Sequence, residues 1–252
     1  MIRIAILGAA GRMGQLLLGA VRTAQSDLAK DNGHHQAVQL ISALVRPGHG
    51  WVEKDVGEML AGDMGGGQSW GLLVTDRGEV AISHADLVID FSVRTQVAYH
   101  AGLAAQAGAA FLTGVTGLLP EDEAAIKLAA RHVPVLTARN TSFAVLVTAQ
   151  LAAQAAALLS ASDYRIVIKE THHIHKKDKP SGTALLLGQA ITDQQKSDDQ
   201  RIIDYQSLRL GEVIGLHEVV FEGVDDVISL KHEALNRRLF ATGALRAGQW
   251  LV

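Results

Sequence analysis

Residues 170–185 combine proton donors and cations at close spacing. The segment reads Glu-Thr-His-His-Ile-His-Lys-Lys-Asp-Lys-Pro-Ser-Gly-Thr-Ala-Leu, so three histidines stand beside three lysines. Histidine can give or take a proton near neutral pH, and the positive charge of lysine attracts anions. The pattern therefore favours a small anionic ligand that is held beside a histidine able to protonate it.

A predicted helix start follows the charged run directly. Pro180 ends the extended chain, Ser181 is a favourable N-cap residue, and Gly182 and Thr183 open an apolar helical stretch. The backbone N–H groups and the dipole at a helix N-terminus favour a carboxylate or a phosphate. We expect the hydroxyl groups of Ser181 and Thr183 to complete a cradle for such an anion.

Three interpretations of His172, His173 and His175 stay open at this point. In a metal site they would be imidazole ligands, but only Glu170 and Asp178 add nearby carboxylates, and the lysines would repel a cation. They could instead be structural residues that alternate between the faces of a strand end. We favour an acid beside an anion site, because lysine charge lowers the pKa of a neighbouring histidine and a helix cap follows. We predict no metal.

The composition limits the class of protein. A chain of 252 residues can form one large domain or two modest ones, and we predict two. Hydrophobic residues make up 48% and aromatic residues 4%, which favours helices packed closely on a sheet. A net charge of −3 gives no indication of nucleic-acid binding. The absence of cysteine excludes every mechanism that passes through a cysteine thioester, and therefore the cysteine-dependent aldehyde dehydrogenases.

The N-terminal segment and the apolar runs indicate the compartment. The chain enters a predicted strand directly, without the basic and apolar regions of a secretion signal. No apolar run reaches the roughly 18 residues that span a bilayer. We therefore expect a cytoplasmic protein without membrane contacts.

The first residues predict a dinucleotide site. Residues 2–7 have an apolar strand pattern, residues 8–14 read Gly-Ala-Ala-Gly-Arg-Met-Gly, and a helical pattern follows. In such a site the first glycine permits a tight turn, the second lets a pyrophosphate approach the backbone, and the third lets the helix pack on the strand. Gly8, Gly11 and Gly14 have this order here.

The end of the second predicted strand, residues 38–45, indicates which cofactor is bound. Folds that prefer NAD usually place an acidic residue there for the ribose hydroxyl groups. This chain has Val45 followed by Arg46. An arginine without the carboxylate suits a 2′-phosphate, so we expect a preference for NADPH, with NADH as the alternative. The competing interpretation of Arg46 is a solvated loop arginine.

The rest of the first half alternates strand and helix patterns after a loop-rich connection, residues 48–78. The predicted strands cover residues 87–91, 109–113 and 133–137, and the predicted helices cover residues 95–107 and 121–131. This alternation predicts a doubly wound parallel sheet. The turn at residues 114–117 would lie at the carboxyl end of a strand, where such sheets bind ligands.

After residue 140 the pattern becomes that of an α+β domain. The predicted elements are an Ala-rich helix over 143–161, a strand over 164–169, a helix over 183–191, a loop over 192–200, antiparallel strands over 207–210, 217–221 and 227–232, and a closing helix over 237–250. The exposed sheet face of such a domain often forms an oligomer contact.

Four segments, in the same order along the chain, resemble the 4-hydroxy-tetrahydrodipicolinate reductases, or dihydrodipicolinate reductases, of the diaminopimelate route to lysine. They are residues 8–14, 90–92, 114–117 and, above all, 170–185. The run His-His-x-His-Lys-x-Asp-x-Pro-Ser-Gly-Thr-Ala is highly specific to that family, and the resemblance covers most of the chain.

The resemblance implies a Rossmann-type dinucleotide-binding domain, residues 1–140, that is completed by the C-terminal helix at about 233–252. It also implies a smaller α+β domain for substrate binding and oligomerisation, residues 141–232, whose sheet usually builds a homotetramer. The implied reaction is the NAD(P)H-dependent reduction of 4-hydroxy-tetrahydrodipicolinate, a cyclic dicarboxylate, to tetrahydrodipicolinate.

The same resemblance implies roles for individual residues. His172 matches the family's proposed general acid, and Lys176 matches a second catalytic residue that binds substrate. The positions that match substrate-binding residues are His173, Ser181, Gly182, Thr183 and Thr116. The positions on or beside the cofactor-binding residues are Gly8, Gly11, Arg12, Met13, Arg46, Gly114, Thr116 and Asn140.

Three places depart from the family pattern. Val45 replaces an acidic residue that many members carry, which weakens the ribose contact for NADH. The usual Ser-x-Gly-x-Asn appears as residues 142–146, Ser-Phe-Ala-Val-Leu, so the nicotinamide contacts at that helix start should differ. A glycine-rich segment before Ser207 is shortened to residues 200–205, which should change loop geometry and tetramer contacts.

Two other functions stay open. One is a non-catalytic NADPH-binding module that senses redox state through its oligomer. The other is an NADPH reductase of a different small oxo or imino acid. An enzyme needs the histidine segment intact, whereas a sensor would tolerate its loss, so substitutions in residues 170–185 discriminate between the two classes.

Overall fold

A computed structural model describes residues 1–28, 36–60, 62, 66–159, 163–195 and 201–252. These residues form two compact units. The first unit comprises Met1–Thr141 and Phe240–Val252, and the second comprises Ser142–Leu239. The last part of the predicted loop, 196–200, and the end of the predicted Ala-rich helix, 160–161, lie outside the described residues.

The first unit is built on a parallel sheet. Its strands are β1 (Ile2–Leu7), β2 (Val38–Leu44), β3 (Leu87–Asp90), β4 (Ala110–Thr113) and β5 (Val135–Thr137). They are arranged in the order β2-β1-β3-β4-β5, and each neighbouring pair is parallel. The strands are apolar because a sheet of this kind is covered on both faces. The prediction of a Rossmann-type, doubly wound sheet is confirmed.

Helices cover this sheet on both faces. They are α1 (Arg12–Leu28), α2 (Val56–Met59), α3 (Gly78–Ile82), α4 (Arg94–Ala107) and α5 (Pro120–Ala129). Successive residues of β1 enter different cores, since side chains alternate along a strand. Ile4 and Ile6 join the core that contains Leu17 of α1, whereas Ala5 joins the core that contains Val97 of α4.

The described part of the connection predicted at 48–78, which leaves out 61 and 63–65, contains regular structure that its sequence did not indicate. Asp55 is the N-cap of α2, and its carboxylate accepts hydrogen bonds from the backbone N–H groups of Gly57, Trp70 and Leu72 at 2.8, 2.8 and 3.0 Å. Burial alone would raise the pKa of Asp55, but the hydrogen bonds from Trp70, Ser69, Gly57 and Leu72 lower it to about 2. One buried carboxylate thus organises a segment that has no hydrophobic periodicity.

The second unit contains a mixed sheet with two helices on one face. Its elements are α6 (Phe143–Leu158), β6 (Arg165–His172), α7 (Gly182–Thr192), β7 (Ile203–Arg209), β8 (Leu216–Glu222) and β9 (Val227–Glu233). The strand order is β7-β6-β8-β9. Ile166 and Ile168 of β6 pack with Ala152 of α6 and Leu187 of α7. The smaller α+β domain is therefore present, as predicted.

The prediction of three antiparallel strands after α7 is wrong for β7. β7 pairs with β6 in parallel, whereas β8 and β9 form antiparallel pairs. The reason is the connection: α7 carries the chain from β6 to β7, and a helical crossover returns a chain to a parallel strand. β7 also begins at Ile203 rather than at the predicted residue 207, because its pairing with β6 extends over that whole length.

The closing helix α8 (Arg238–Leu251) packs against the first sheet for most of its length. Ala241, Ala244 and Leu245 are buried in the same core as Ile4. Gly248 lies so close to Leu87 that an added Cβ would be 2.6 Å from the Leu87 Cδ2 atom. Among the helices of the described residues, none combines the length and the apolar character that a membrane crossing would need.

Candidate functional site

β6 extends beyond its predicted end at residue 169 and places Glu170 and His172 on the same face of the sheet. Both are buried, with 1% and 7% of their surface exposed. The Nδ1 atom of His172 forms a hydrogen bond with Glu170 Oε2. A carboxylate can only accept, so Nδ1 donates and Nε2 remains as the atom that can exchange a proton with a ligand.

Arg209, the last residue of β7, holds the Glu170 carboxylate from the other side. Its Nη1 and Nη2 atoms donate to Glu170 Oε2 and Oε1 at 3.0 and 2.9 Å, a bidentate pair. Burial alone would raise the pKa of Glu170, but the hydrogen bonds from Arg209, Ser207 and His172 outweigh it and lower the pKa. Glu170 therefore stays ionised beside the imidazole.

The environment of His172 lowers its pKa below the usual value. Burial is the largest cause, and the positive charges of Lys176 and Arg209 contribute. The hydrogen bond and the negative charge of Glu170 oppose this shift. The sequence predicted a lowered pKa from lysine charge, whereas the structure assigns the larger part to burial.

The loop after β6 carries Lys176 and the other two histidines. Lys176 Nζ lies 2.9 Å from Asp178 Oδ1. The strand ends at His172, so His173 and His175 are loop residues and do not alternate along a strand. His173 is half-buried and His175 is exposed. The described residues contain no group of three or more His, Cys, Asp or Glu that could hold a metal ion.

The helix start predicted after Pro180 is present. Ser181 is the N-cap of α7, and its Oγ accepts from the backbone N–H of Ala184 at 3.1 Å. Gly182 is the first helical residue and Thr183 the second. Burial alone would raise the pKa of Asp178, but its hydrogen bonds, chiefly from Lys176 and also from the Gly182 backbone, lower it. The positive groups of this cradle thus already attract a carboxylate.

Two histidines that the sequence analysis did not single out extend the buried polar face. The strand register pairs Glu170 with His217 of β8, and His217 with His232 of β9. The His217 ring lies 5.0 Å from the His172 ring, and its Nε2 lies 3.2 Å from Ser181 Oγ. Glu170, His217 and His232 thus lie side by side across three strands. This arrangement follows from the register between strands that are distant in sequence, and no local sequence pattern indicates it.

Burial lowers the pKa of His217 to about 3, and the positive charges of His172 and His232 act in the same direction. Burial also lowers the pKa of His232. The Nδ1 atoms of both residues are buried without a hydrogen-bond partner among the described residues. His217 is therefore neutral beside His172 and can accept a hydrogen bond from the Ser181 hydroxyl.

We expect His217 to weaken the folded state as the pH falls. Its pKa is about 3 in the folded chain, against 6.5 for an unperturbed histidine, so its contribution is complete above about pH 6.5 and is lost between pH 6.5 and 3. The variant His217→Gln should reduce the fall in the free energy of unfolding between pH 7 and pH 4 by roughly 3 kcal/mol. Urea unfolding at both pH values measures this difference.

Exposed His132 of the first unit is the matched control, and His132→Gln should keep the pH dependence of the parent protein. An unchanged pH dependence in His217→Gln would show that His217 is not held neutral by burial.

A cleft of about 660 Å³ lies in the first unit, beside the carboxyl ends of β1, β2 and β3. Three of the residues predicted to hold the cofactor line it, namely Gly8, Gly11 and Arg46. The other residues predicted to hold the cofactor are not among those that line it: Arg12, Met13, Gly114, Thr116 and Asn140. Gly114, Thr116 and Asn140 follow the ends of β4 and β5 at the same edge of the sheet. Thr116 belongs to the first unit, whereas the other predicted substrate-binding residues belong to the second.

The glycine turn after β1 has the geometry that a pyrophosphate cradle needs. Gly8 has a φ of 77°, and an added Cβ would lie 2.6 Å from the Phe91 carbonyl oxygen. An added Cβ at Gly14 would lie 2.1 Å from the Gly8 carbonyl oxygen. Side chains at these positions would push the turn away from the sheet. The residues present thus fit a dinucleotide.

Several polar residues of the cleft were not expected from the sequence. Asp76 and Arg77 line it together with Arg46 and His49. Asp76 Oδ2 lies 3.4 Å from the backbone nitrogen of Gly48, which joins the two segments at the cleft. His49, Asp76 and Arg77 belong to the connection without periodicity, so only the folded chain shows that a second arginine, Arg77, stands on the same cleft as Arg46.

A buried Asp–His pair also borders the cleft. Asp90, fully buried at the end of β3, accepts from the backbone N–H of Ser92 at 2.8 Å. Its other oxygen lies 3.1 Å from His100 Nδ1, and His100 lines the cleft. This pair fixes the turn after β3, which packs against Gly8.

Comparison with known families covers both units. Residues 2–141 match the family model described as dihydrodipicolinate reductase, N-terminus, and residues 144–252 match that described as dihydrodipicolinate reductase, C-terminus. A curated 4-hydroxy-tetrahydrodipicolinate reductase from Ruegeria pomeroyi is 38% identical over 98% of this chain and 91% of its own. The corresponding protein of Alkalilimnicola ehrlichii is 37% identical over 99% of this chain and 93% of its own.

Solved structures share the fold. A dihydrodipicolinate reductase from Paenisporosarcina sp. TG-14, solved with dipicolinate bound, superposes with a TM-score of 0.73 at 24% identity, over 99% of this chain and 93% of its own. Aspartate semialdehyde dehydrogenase II from Vibrio cholerae gives a TM-score of 0.61 at 15% identity, over 100% and 98%. The fold is therefore shared with dehydrogenases that act on other substrates. The sequence resemblance, and not the fold, distinguishes the dihydrodipicolinate reductases from these dehydrogenases.

Proposed function

Because the chain belongs to the dihydrodipicolinate reductase family, we propose that it reduces 4-hydroxy-tetrahydrodipicolinate to tetrahydrodipicolinate with NAD(P)H in the diaminopimelate route to lysine. It is an oxidoreductase, as its curated relatives are. The observation that carries the proposal for the site is the buried His172, whose Nδ1 is held by Glu170 while the Lys176 loop and the α7 N-terminus follow within the same unit.

His172 is the proposed proton donor of the reaction. Loss of the 4-hydroxyl group of the substrate as water gives the conjugated imine. Bound NAD(P)H supplies the hydride for this imine, and this chain supplies the proton for the nitrogen or enamine that results. His172 Nε2 gives that proton, while ionised Glu170 stabilises the imidazolium through Nδ1. A dianionic substrate raises the fraction of protonated His172, because negative charge nearby favours the charged imidazole.

The two carboxylates of the substrate account for the cations of this segment. Lys176 has three N–H donors, so it can bind a substrate carboxylate while it keeps its contact with Asp178. The Asp178 carboxylate accepts hydrogen bonds from Lys176 and from the Gly182 backbone, so the positive end of the α7 dipole lies near Lys176. His173, half-buried at the start of the loop, is proposed as a further substrate contact.

For the cofactor we propose a preference for NADPH, with Arg46 as the 2′-phosphate contact. Arg46 is exposed on the cleft, and Val45 before it is buried, so no carboxylate of β2 faces the ribose there. The variant Arg46→Ala should weaken NADPH binding by roughly 1.5–3 kcal/mol and leave NADH binding nearly unchanged. Fluorescence titration with both nucleotides measures the two affinities. Equal losses for NADPH and NADH would refute the phosphate contact.

The remaining proposals concern assembly and location. We propose a homotetramer in the cytoplasm, built through the sheet face of the second unit that α6 and α7 leave uncovered. Leu208 and Val227 are exposed on that face, beside an ion pair of Arg165 and Asp204. Light scattering of the purified protein measures the mass of this assembly.

We also propose that residues 1–140, with 233–252, bind the cofactor and that residues 141–232 bind the substrate.

The test of the reaction is a coupled assay. NADPH absorbance should fall only when the product of dihydrodipicolinate synthase is supplied to the purified protein. A small oxo acid such as pyruvate, given alone, serves as the control for a reductase of another substrate. NADPH oxidation with the control acid, or none with the synthase product, would contradict the proposal.

A further inference from the structure

We propose that Arg209 is a positioning residue that holds the acid system of His172 and the loop of Lys176 in one fixed geometry. This inference rests on the proposed function, because it assumes that His172 and Lys176 act on the same substrate. Arg209 was not expected from the sequence. It acts through Glu170 and through the backbone of the loop.

The guanidinium of Arg209 uses all of its hydrogen-bond donors within the chain. Besides the two bonds to Glu170, Nε donates to the Lys176 carbonyl oxygen at 3.2 Å and Nη1 to the Leu208 carbonyl oxygen at 2.7 Å. Nη2 donates to the carbonyl oxygen of Asp178. Arginine has five N–H groups, and these five bonds engage each of them. The group therefore has no donor left for a ligand.

These hydrogen bonds connect a residue of a strand with residues of a loop. Glu170 belongs to β6, whereas Lys176 and Asp178 belong to the loop that follows it. A planar guanidinium fixes the directions of its acceptors relative to one another. A shift of the loop would thus strain the bonds to Glu170, and a shift of Glu170 would release the Nδ1 atom of His172.

Burial makes this arrangement specific to arginine. The Arg209 side chain is only 9% exposed, and the Glu170 side chain is fully buried. Lysine would keep the charge but has three donors and no planar fork, so it cannot make the bidentate pair and also hold two loop carbonyl groups. The local sequence gives no sign of this role, since Arg209 lies at the end of an edge strand.

Gly215 lies beside the Nε2 atom of His172, and a Cβ added to Gly215 would be 3.2 Å from that atom. A side chain at residue 215 would therefore crowd Nε2, the atom proposed to give the proton, while Nδ1 is bonded to Glu170 and, through it, to Arg209.

The first test is chemical rescue. Arg209→Ala should lower kcat on the order of 100-fold, the usual cost of a misplaced catalytic group, and should raise KM because the Lys176 loop is released. Millimolar guanidinium, below denaturing concentrations, should restore part of kcat, whereas ammonium should not. Arg209→Lys should resemble Arg209→Ala without rescue. Arg131→Ala removes an exposed arginine of the first unit and should keep the parental kcat.

The second test does not depend on turnover and separates this inference from the proposed reaction. In ¹⁵N NMR spectra, neutral His172 should carry its proton on Nδ1 in the parent protein and lose this preference in Arg209→Lys and Arg209→Ala. Added guanidinium should restore the preference in Arg209→Ala. If Arg209→Ala does not fold, the kcat and the spectrum of Arg209→Lys decide. A parental kcat, or a parental His172 spectrum, in a folded Arg209 variant would overturn the inference, even if the proposed substrate is correct.

Discussion

Replacing His172 with Gln is expected to lower kcat by about 10²–10⁴-fold, the range for loss of a general acid. Glutamine has nearly the same size and can still hydrogen-bond to Glu170, but it cannot deliver a proton. The change in KM should be small, because the proton is transferred mainly in the transition state. The measurement is a steady-state assay with NADPH and the synthase product.

His175→Gln is the matched control, since His175 lies in the same segment but is exposed in the loop. It should keep kcat within a small factor of the parental value. A parental kcat in His172→Gln would remove His172 from the mechanism. A decrease of equal size in both variants would mean that the whole loop, and not one imidazole, was disturbed.

Replacing Lys176 with Ala is expected to affect both substrate binding and turnover. The loss of one charged hydrogen bond costs about 1.5–3 kcal/mol, which corresponds to roughly 10- to 150-fold in kcat/KM. The Asp178 carboxylate, which Lys176 now contacts at 2.9 Å, would then face the substrate without its partner. Repulsion between this carboxylate and the dianion should increase the effect further.

Lys177→Ala provides the control for charge, because exposed Lys177 is the next residue of the chain. It should change kcat/KM only a little, and the effect should vanish at higher salt. If Lys176→Ala changes neither KM nor kcat, the loop is not the anion site. If Lys177→Ala has the larger effect, the attraction comes from the net charge of the segment.

The features that the sequence predicted are local ones. The order of strand, glycine turn and helix at Gly8, and the helix cap at Ser181, depend on residues within one turn of each other. Their physical causes, tight turns and N-cap hydrogen bonds, act over the same short range. The alternation of strands and helices likewise predicted the parallel sheet.

The features that the sequence did not predict depend on pairing between distant strands. His217 stands beside Glu170 only because β8 pairs with β6 in one register, and Arg209 reaches Glu170 only because β7 is parallel to β6. Asp55 organises its loop through residues up to 17 positions away. The hydrophobic periodicity of a sequence does not predict contacts between distant strands. The partners of His172 could therefore be identified only in the folded chain.

A crystal structure with NADP⁺ and pyridine-2,6-dicarboxylate, a flat dianion of the proposed substrate shape, tests whether residues 172–183 bind the substrate. We expect one carboxylate against Lys176 Nζ and the first turn of α7, with the ring in front of His172 Nε2. A dianion bound elsewhere, or a metal ion between His172 and α7, would overturn the proposed site.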